Sequence, residues 1–228
     1  MPDAALKPAL LKALREHEIG AASPYVISFA GNGHSGASFG FMQGDMAVQP
    51  LARDTFARAL TAADVPQAKL DALLALLKGP QPHDPLTSAD EALINDALSR
   101  ERSFVDAMDL QILQGVFASL DGCVAVAANA GRTIAPKSQL YMAMWINMTG
   151  TPTTMRRWLG GQAITVGGPP AFPGTVSKTV PAPGGTVDAV TMEAYMAAMP
   201  YYQLHPHNLA TLKQCAADGM TAYHPVSA

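Results

Sequence analysis

Apolar residues recur along this chain at helical spacing in successive blocks, broken near the N-terminus by a β-like stretch and past residue 160 by glycine and proline. The first block predicts a helix from about Ala4 to Ile19. Tyr25 to Ala30, rich in β-branched and aromatic residues and entered through Ser23-Pro24, reads as a strand. Gly31-Asn32-Gly33 is a turn, and Ser35 to Phe41 returns as a second strand. Leu51 to Ala63 and Ala68 to Lys78 are helices, the second with a core stripe of Leu70, Leu73, Leu74 and Leu77. After the loop from Gly79 to Pro85, Thr87-Ser88-Ala89-Asp90 opens the next helix with capping chemistry. Phe104, Met108, Ile112, Val116 and Leu120 then mark a long buried helix, the spine of the domain. Ser138 to Met148, Val187 to Met199 and Leu209 to Asp218 are further helices. Between them the Gly/Pro-rich segment at about 160–186 is a loop or hairpin, with β-like pieces at Ala163 to Val166 and Thr175 to Val180. The fold class this predicts is mainly α (α+β): one helical domain with a small β ribbon flanking a substrate cleft.

The first helix ends on two acids, and its leucines separate them. At about 100° per residue, Glu18 lies only about 20° from Leu11 and about 40° from Leu14, whereas Glu16 lies about 140° and 200° away. Glu18 is therefore expected on the inward face and Glu16 in solvent. A carboxyl held against apolar surface loses hydration, which raises its pKa and suits a general acid. The alternative is a helix-end cap or salt bridge. A second acid, Asp45, leaves the ribbon directly, either as the catalytic partner of Glu18 or as the N-cap of a helix beginning near Met46. Gly36 and Gly40 are expected to leave room for a ligand to come close.

Composition removes several classes. A formal charge of −3 and a pI near 6.0 give no global basic field to gather nucleic acid or an anionic membrane surface. No apolar run approaches the roughly 20 residues that span a bilayer, so no membrane span is expected. No secretory leader is visible at Met1-Pro2-Asp3-Ala4. Cys123 and Cys215 are expected as buried thiols, or as one bridge. No metal and no cofactor is expected. The histidines fall in unrelated segments or, at His205-Pro206-His207, are separated by a proline, and Gly31-Asn32-Gly33-His34-Ser35-Gly36 runs into Ser38-Phe39-Gly40-Phe41 and not into a dinucleotide-binding helix.

A Glu closing a helix, a small polar ribbon, then Gly36-Ala37-x-x-Gly40-x-Met42-Gln43 resembles the signature of lysozyme-like glycan-cleaving domains, the soluble lytic transglycosylases in particular. The Ser that follows the family's Glu is Ile19 here, and the gap from Glu18 to Gln43 is longer than the family's. Further on, Trp145-Ile146-Asn147-Met148-Thr149-Gly150-Thr151-Pro152, then Arg156-Arg157-Trp158-Leu159, resembles the family's Tyr-Asn-Ala-Gly-Pro stretch and its following helix through Asn147 and the Gly-then-Pro punctuation. The resemblance implies a glycosidase on a β-linked amino-sugar polymer, peptidoglycan first, with Glu18 as acid and Asp45 as possible base. Tyr25, His34, Ser35, Ser38, Phe39, Gln43 and Asn147 would line the cleft. A hydrolase is favoured over a lytic transglycosylase; chitosanase-like cleavage of another bacterial polysaccharide, or a non-catalytic glycan-binding domain, are the alternatives. The partner is thus a polysaccharide substrate, which on this reading lies outside the cytoplasm; localisation and oligomeric state are left open.

Overall fold

The computed structural model describes residues 5–30, 35–81, 83–150 and 152–224. They are mainly helical with three small sheets, the expected class. The chain divides into two compact units, Glu18–Gln114 and Met1–His17 with Gly115–Ala228.

Helix α1 (Lys7–Glu18) buries Ala9, Leu10, Ala13 and Leu14. The ribbon unit that follows is built on three short antiparallel strands, β1 (Ser28–Phe29), β2 (Ala37–Phe39) and β3 (Gly44–Asp45), in that order. The predicted first strand shrinks to two residues because its neighbours bond elsewhere: the N–H of Ile27 goes to the Asn95 side chain at 2.9 Å, and the Pro24 carbonyl accepts from Gly40 at 2.7 Å. Helices α2 (Pro50–Ala62), α3 (Gln67–Leu77) and α4 (Ser88–Arg100) pack around one side of the ribbon. Thr87 caps α4 by accepting from the N–H of Asp90, and Asp90 pairs with Lys69 of α3. The core of this unit includes Phe39 and Phe56, ring centroids 6.3 Å apart, with Leu60, Leu73, Ile94 and Met108.

Helix α5 (Arg102–Asn129) supplies residues to both units. Its buried positions, Val105, Met108, Asp109, Leu113, Val116, Leu120, Cys123 and Ala127, recur at spacings of three and four apart from the adjacent Met108 and Asp109, as a period of about 3.6 requires. The expected i,i+4 series drifts about 40° per step, which leaves Phe104 and Ile112 half-buried. By length and composition α5 is apolar enough to cross a membrane, a test that the core helix of a globular protein also passes.

In the helical unit β4 (Thr133–Ile134) pairs in parallel with β7 (Thr186–Val187), and β5 (Ile164–Val166) pairs antiparallel with β6 (Lys178–Val180), the hairpin expected in the Gly/Pro-rich segment. Helices α6 (Pro136–Thr149), α7 (Thr153–Leu159), α8 (Ala189–Ala198), α9 (Pro200–Leu204) and α10 (Pro206–Met220) complete it. Trp158 and Tyr195 stack at 4.5 Å in its core, and the indole N–H of Trp158 donates to the Pro181 carbonyl at 2.8 Å. Gly219 lets α10 close on α1 and α6: a Cβ there would lie 2.8 Å from Ala13 Cβ and from Leu140 Cδ2. Cys123 and Cys215 are buried thiols and are not bridged to each other.

Candidate functional site

Glu18 is the last residue of α1 and is half-buried. Glu16 is half-buried too, and not in solvent as expected; one carboxyl oxygen sits 3.9 Å from Lys12 Nζ and the other is buried. The leucine chosen to mark the inward face explains the error, since Leu11 is only partly buried. The stripe of Ala9, Leu10, Ala13 and Leu14 centres within about 10° of His17, with Glu16 about 90° to one side and Glu18 about 110° to the other.

Six residues beyond Glu18, the ribbon begins to close on itself. Ser28 pairs with Ser38, and Ser38 with Asp45, so these three polar residues share one face of the sheet, while Ala37 and Phe39 take the other, apolar face. Phe39 is 0% exposed and packs on Phe56, so it does not line a cleft. Ser38, 7% exposed, does not either; its carbonyl lies 3.2 Å from the Ser28 hydroxyl. Both were expected against substrate; strand alternation turns Phe39 onto the apolar face, and Ser38, although on the polar face, is itself buried. Ser35 and Tyr25 remain half-buried, and the Tyr25 phenol donates to Asp106 at 2.9 Å. Burial and then that hydrogen bond push the phenol above its ordinary value. His34 lies outside the described residues, as does the Gly31-Asn32-Gly33 turn.

The return of the ribbon is a tight turn over Gly40-Phe41-Met42-Gln43. Gly40 has φ +82° and Gln43 φ +51°, a left-handed backbone that a non-glycine residue holds only when its surroundings impose it. The imposing group is the Asp109 carboxylate, 1% exposed, which accepts the N–H of Phe41 at 2.8 Å and of Met42 at 3.0 Å. Gln43 closes the turn from the other side: its amide donates to the Gly40 carbonyl at 3.0 Å and accepts from the Ser28 hydroxyl at 2.9 Å. Neither ribbon glycine leaves room for a ligand. A Cβ at Gly40 would lie 2.8 Å from Met108 Cε and on the Asp109 carboxylate, and one at Gly36 would meet Ala47 Cβ at 2.8 Å and the Gly79 carbonyl at 3.0 Å.

Asp45 does not cap a helix, because α2 starts at Pro50 with Gln49 before it. Its Oδ1 accepts the backbone N–H groups of Gly36 at 3.0 Å and Ala47 at 2.7 Å, tying the ribbon's edge to the chain that leaves it. Asn147 is half-buried on α6, in the helical unit. Sequence reasoning missed Asp106, Asp109 and Asn95, the polar residues that hold the ribbon. Asp109 carried a visible signal: it falls four residues after Val105 and four before Leu113, an acid on the apolar stripe of α5. Among the described residues no cluster of His, Cys, Asp or Glu has the makings of a metal site. No known family model, curated protein or solved structure matches the chain.

Proposed function

We propose that this chain cleaves a glycosidic bond in a β-linked amino-sugar polymer, peptidoglycan first, with Glu18 as the general acid. The observation that carries this reading is the order of parts: α1 terminates on a half-buried Glu18, and the chain runs directly into a three-stranded ribbon whose return turn pins Gln43 in a fixed orientation. A carboxylic acid protonates the leaving oxygen as the sugar gains oxocarbenium character, and a ribbon held by Asp106, Asp109 and Asn95 offers that reaction a rigid wall. Tyr25, Ser35 and Gln43 are the partly exposed ribbon residues that would meet the sugar.

A lytic-transglycosylase mechanism, which uses one acid, is the second reading. It is favoured by Asp45, whose Oδ1 already holds two backbone N–H groups of the ribbon.

The test is release of soluble fragments from peptidoglycan, chitosan and neutral glucans by wild type, Glu18→Gln and Glu16→Gln. Glu18→Gln is expected to lose roughly 10²-fold or more, with Glu16→Gln close to wild type. Full activity in a folded Glu18→Gln variant removes Glu18 from the mechanism, and binding without cleavage by wild type marks a non-catalytic glycan-binding domain.

A further inference from the structure

Aromatic rings form a continuous run where α6, α9 and α10 of the helical unit meet. Trp145 lies 5.3 Å from Tyr202 and 6.5 Å from Tyr201, Tyr201 lies 5.0 Å from His205, and His205 lies 6.2 Å from His207, centroid to centroid. Tyr202 is buried and forms the floor; Trp145 and Tyr201 are half-buried; both histidines are exposed. Packing accounts for the covered ring of Tyr202. It does not account for the line of further rings that runs from the half-buried Trp145 and Tyr201 out to the exposed histidines.

Two features give the run a ligand chemistry. Asn208 Nδ2 donates to the Tyr201 oxygen at 2.6 Å, which occupies the phenol's acceptor side and turns its own O–H toward another acceptor. The imidazoles of His205 and His207 add ring-edge hydrogen-bonding groups. In addition Tyr202, with Gly174, Val176, Lys178, Gln203 and Pro206, lines an adjoining groove of about 430 Å³, within the range of roughly 300–1,000 Å³ usual for ligand sites. Asn147 is not part of this face, because two residues along α6 from Trp145 it points about 200° away.

We propose that this ring run is a binding platform for a β-linked hexose or N-acetylhexosamine oligosaccharide. A β-linked pyranose presents a flat face of C–H groups that leaves water readily against an aromatic ring, and an equatorial rim of hydroxyl and amide groups that needs hydrogen-bonding partners at the ring edges. Single-stranded nucleic acid also stacks on rings, but it draws on a row of cations along its backbone, and the adjoining groove is lined by a single lysine, Lys178. The preference for amino sugars rests on the glycan-cleaving reading above; the platform itself does not depend on Glu18.

The chain has two tryptophans, and Trp158 is 1% exposed, so a ligand-induced change in indole emission reports Trp145. Chitotetraose, cellotetraose and a thymidine decamer are titrated into wild type and into Glu18→Gln. The expected result is a saturable response to chitotetraose in both proteins, with affinity about tenfold weaker in Tyr201→Ala, weaker also in His205→Ala, and the emission change lost in Trp145→Phe. Thermal midpoints establish that each variant is folded; if Tyr201→Ala is not, Tyr201→Phe, which keeps the ring and drops the directed hydroxyl, must still weaken binding. No saturable response to either oligosaccharide, unchanged affinity in a folded Tyr201 variant, or tighter binding of the thymidine decamer overturns the platform. Oligosaccharide binding without any cleavage by wild type leaves the platform standing and removes the enzymatic reading. Glu18-dependent cleavage together with oligosaccharide binding that is indifferent to a folded Tyr201 variant does the reverse.

Discussion

Asp109 accepts the backbone N–H of Met42 at 3.0 Å from a position that is 1% exposed, and the same carboxylate takes the N–H of Phe41 at 2.8 Å. An acid on α5 thereby dictates the turn on which Gln43 is mounted. Asparagine has the same shape but one acceptor oxygen, so one of the two N–H groups would face an amide N–H₂. A buried donor left unsatisfied costs about 1–3 kcal/mol. Asp109→Asn is expected to lower unfolding free energy by about 2 kcal/mol in urea titrations. A loss below about 0.5 kcal/mol would mean the turn holds without this carboxylate.

A second polar link joins α6, α8 and α10, running from the buried Tyr141 through the half-buried Glu193 to the exposed Lys213. The Tyr141 phenol donates to Glu193 at 2.7 Å, and Lys213 meets the other oxygen of Glu193 at 2.6 Å. Burial, then the hydrogen bond to Glu193, pushes the Tyr141 phenol above its ordinary value. Burial also pushes Glu193 up, but the bonds from Lys213 and Tyr141 and the charges of Lys213 and Lys137 outweigh it and hold the carboxyl below its ordinary 4.5. A depressed acid stabilises the fold fully above that ordinary value and loses its contribution as pH falls through the folded one. A raised phenol contributes below about pH 10 and is lost as pH rises through its higher folded value. The stability advantage of wild type over Glu193→Gln should therefore be flat near neutrality and shrink below about pH 4.5. An advantage that persists undiminished to pH 3 would show that the carboxylate's charge is not what Lys213 and Tyr141 stabilise.

Helices were legible in the sequence where local chemistry and burial agreed. With Pro50 and Pro136 in first turns and the leucine stripe on α3, helices α2, α3 and α6 lie within a residue or two of their predicted ends, and α4 opens at the Thr87 cap as predicted. The same proline signal stands at Pro200, but five residues are too few for a periodic pattern, so α9 went unread. The parallel pair of β4 and β7 joins residues more than fifty apart, a contact no local pattern announces. At the candidate site, the presence of a ribbon was legible but its wiring was not. Which face of β2 is buried depends on α2, which brings Phe56 to Phe39. Which glycines are open depends on Met108, Asp109, Ala47 and Gly79, all remote or around a corner in the chain.

The ribbon glycines give a direct measure of that difference. If Gly36 left space for a sugar, Gly36→Val would weaken activity and spare stability. Its Cβ position instead lies 2.8 Å from the backbone nitrogen of Ala47, which has little freedom to move, and Gly36 donates its own N–H to Asp45. Overpacking of this kind costs typically about 1–3 kcal/mol. Gly36→Val is expected to lower the thermal midpoint in step with any loss of activity. A variant with the wild-type midpoint and impaired cleavage would return Gly36 to the substrate wall.

Asp45 separates the two mechanisms, and its geometry makes the experiment clean. Both backbone N–H groups that reach it, from Gly36 and Ala47, go to Oδ1. Asparagine keeps an acceptor oxygen at that position, so Asp45→Asn preserves the tie across the ribbon while removing the carboxylate's capacity as a base. Its cost in stability should stay below about 1 kcal/mol. An inverting hydrolase needs a base about 6.5–9.5 Å from the acid to activate water, whereas a lytic transglycosylase lets the substrate's own hydroxyl close an anhydro ring and needs no second acid. On the hydrolase reading, wild-type products carry reducing ends labelled from ¹⁸O water, and the folded Asp45→Asn variant loses roughly 10²-fold or more of the activity. Mass spectrometry of the released fragments reads both outcomes together. Anhydro ends from an Asp45→Asn variant as active as wild type would assign Asp45 wholly to holding Gly36 and Ala47, and leave Glu18 as the one acid the reaction requires.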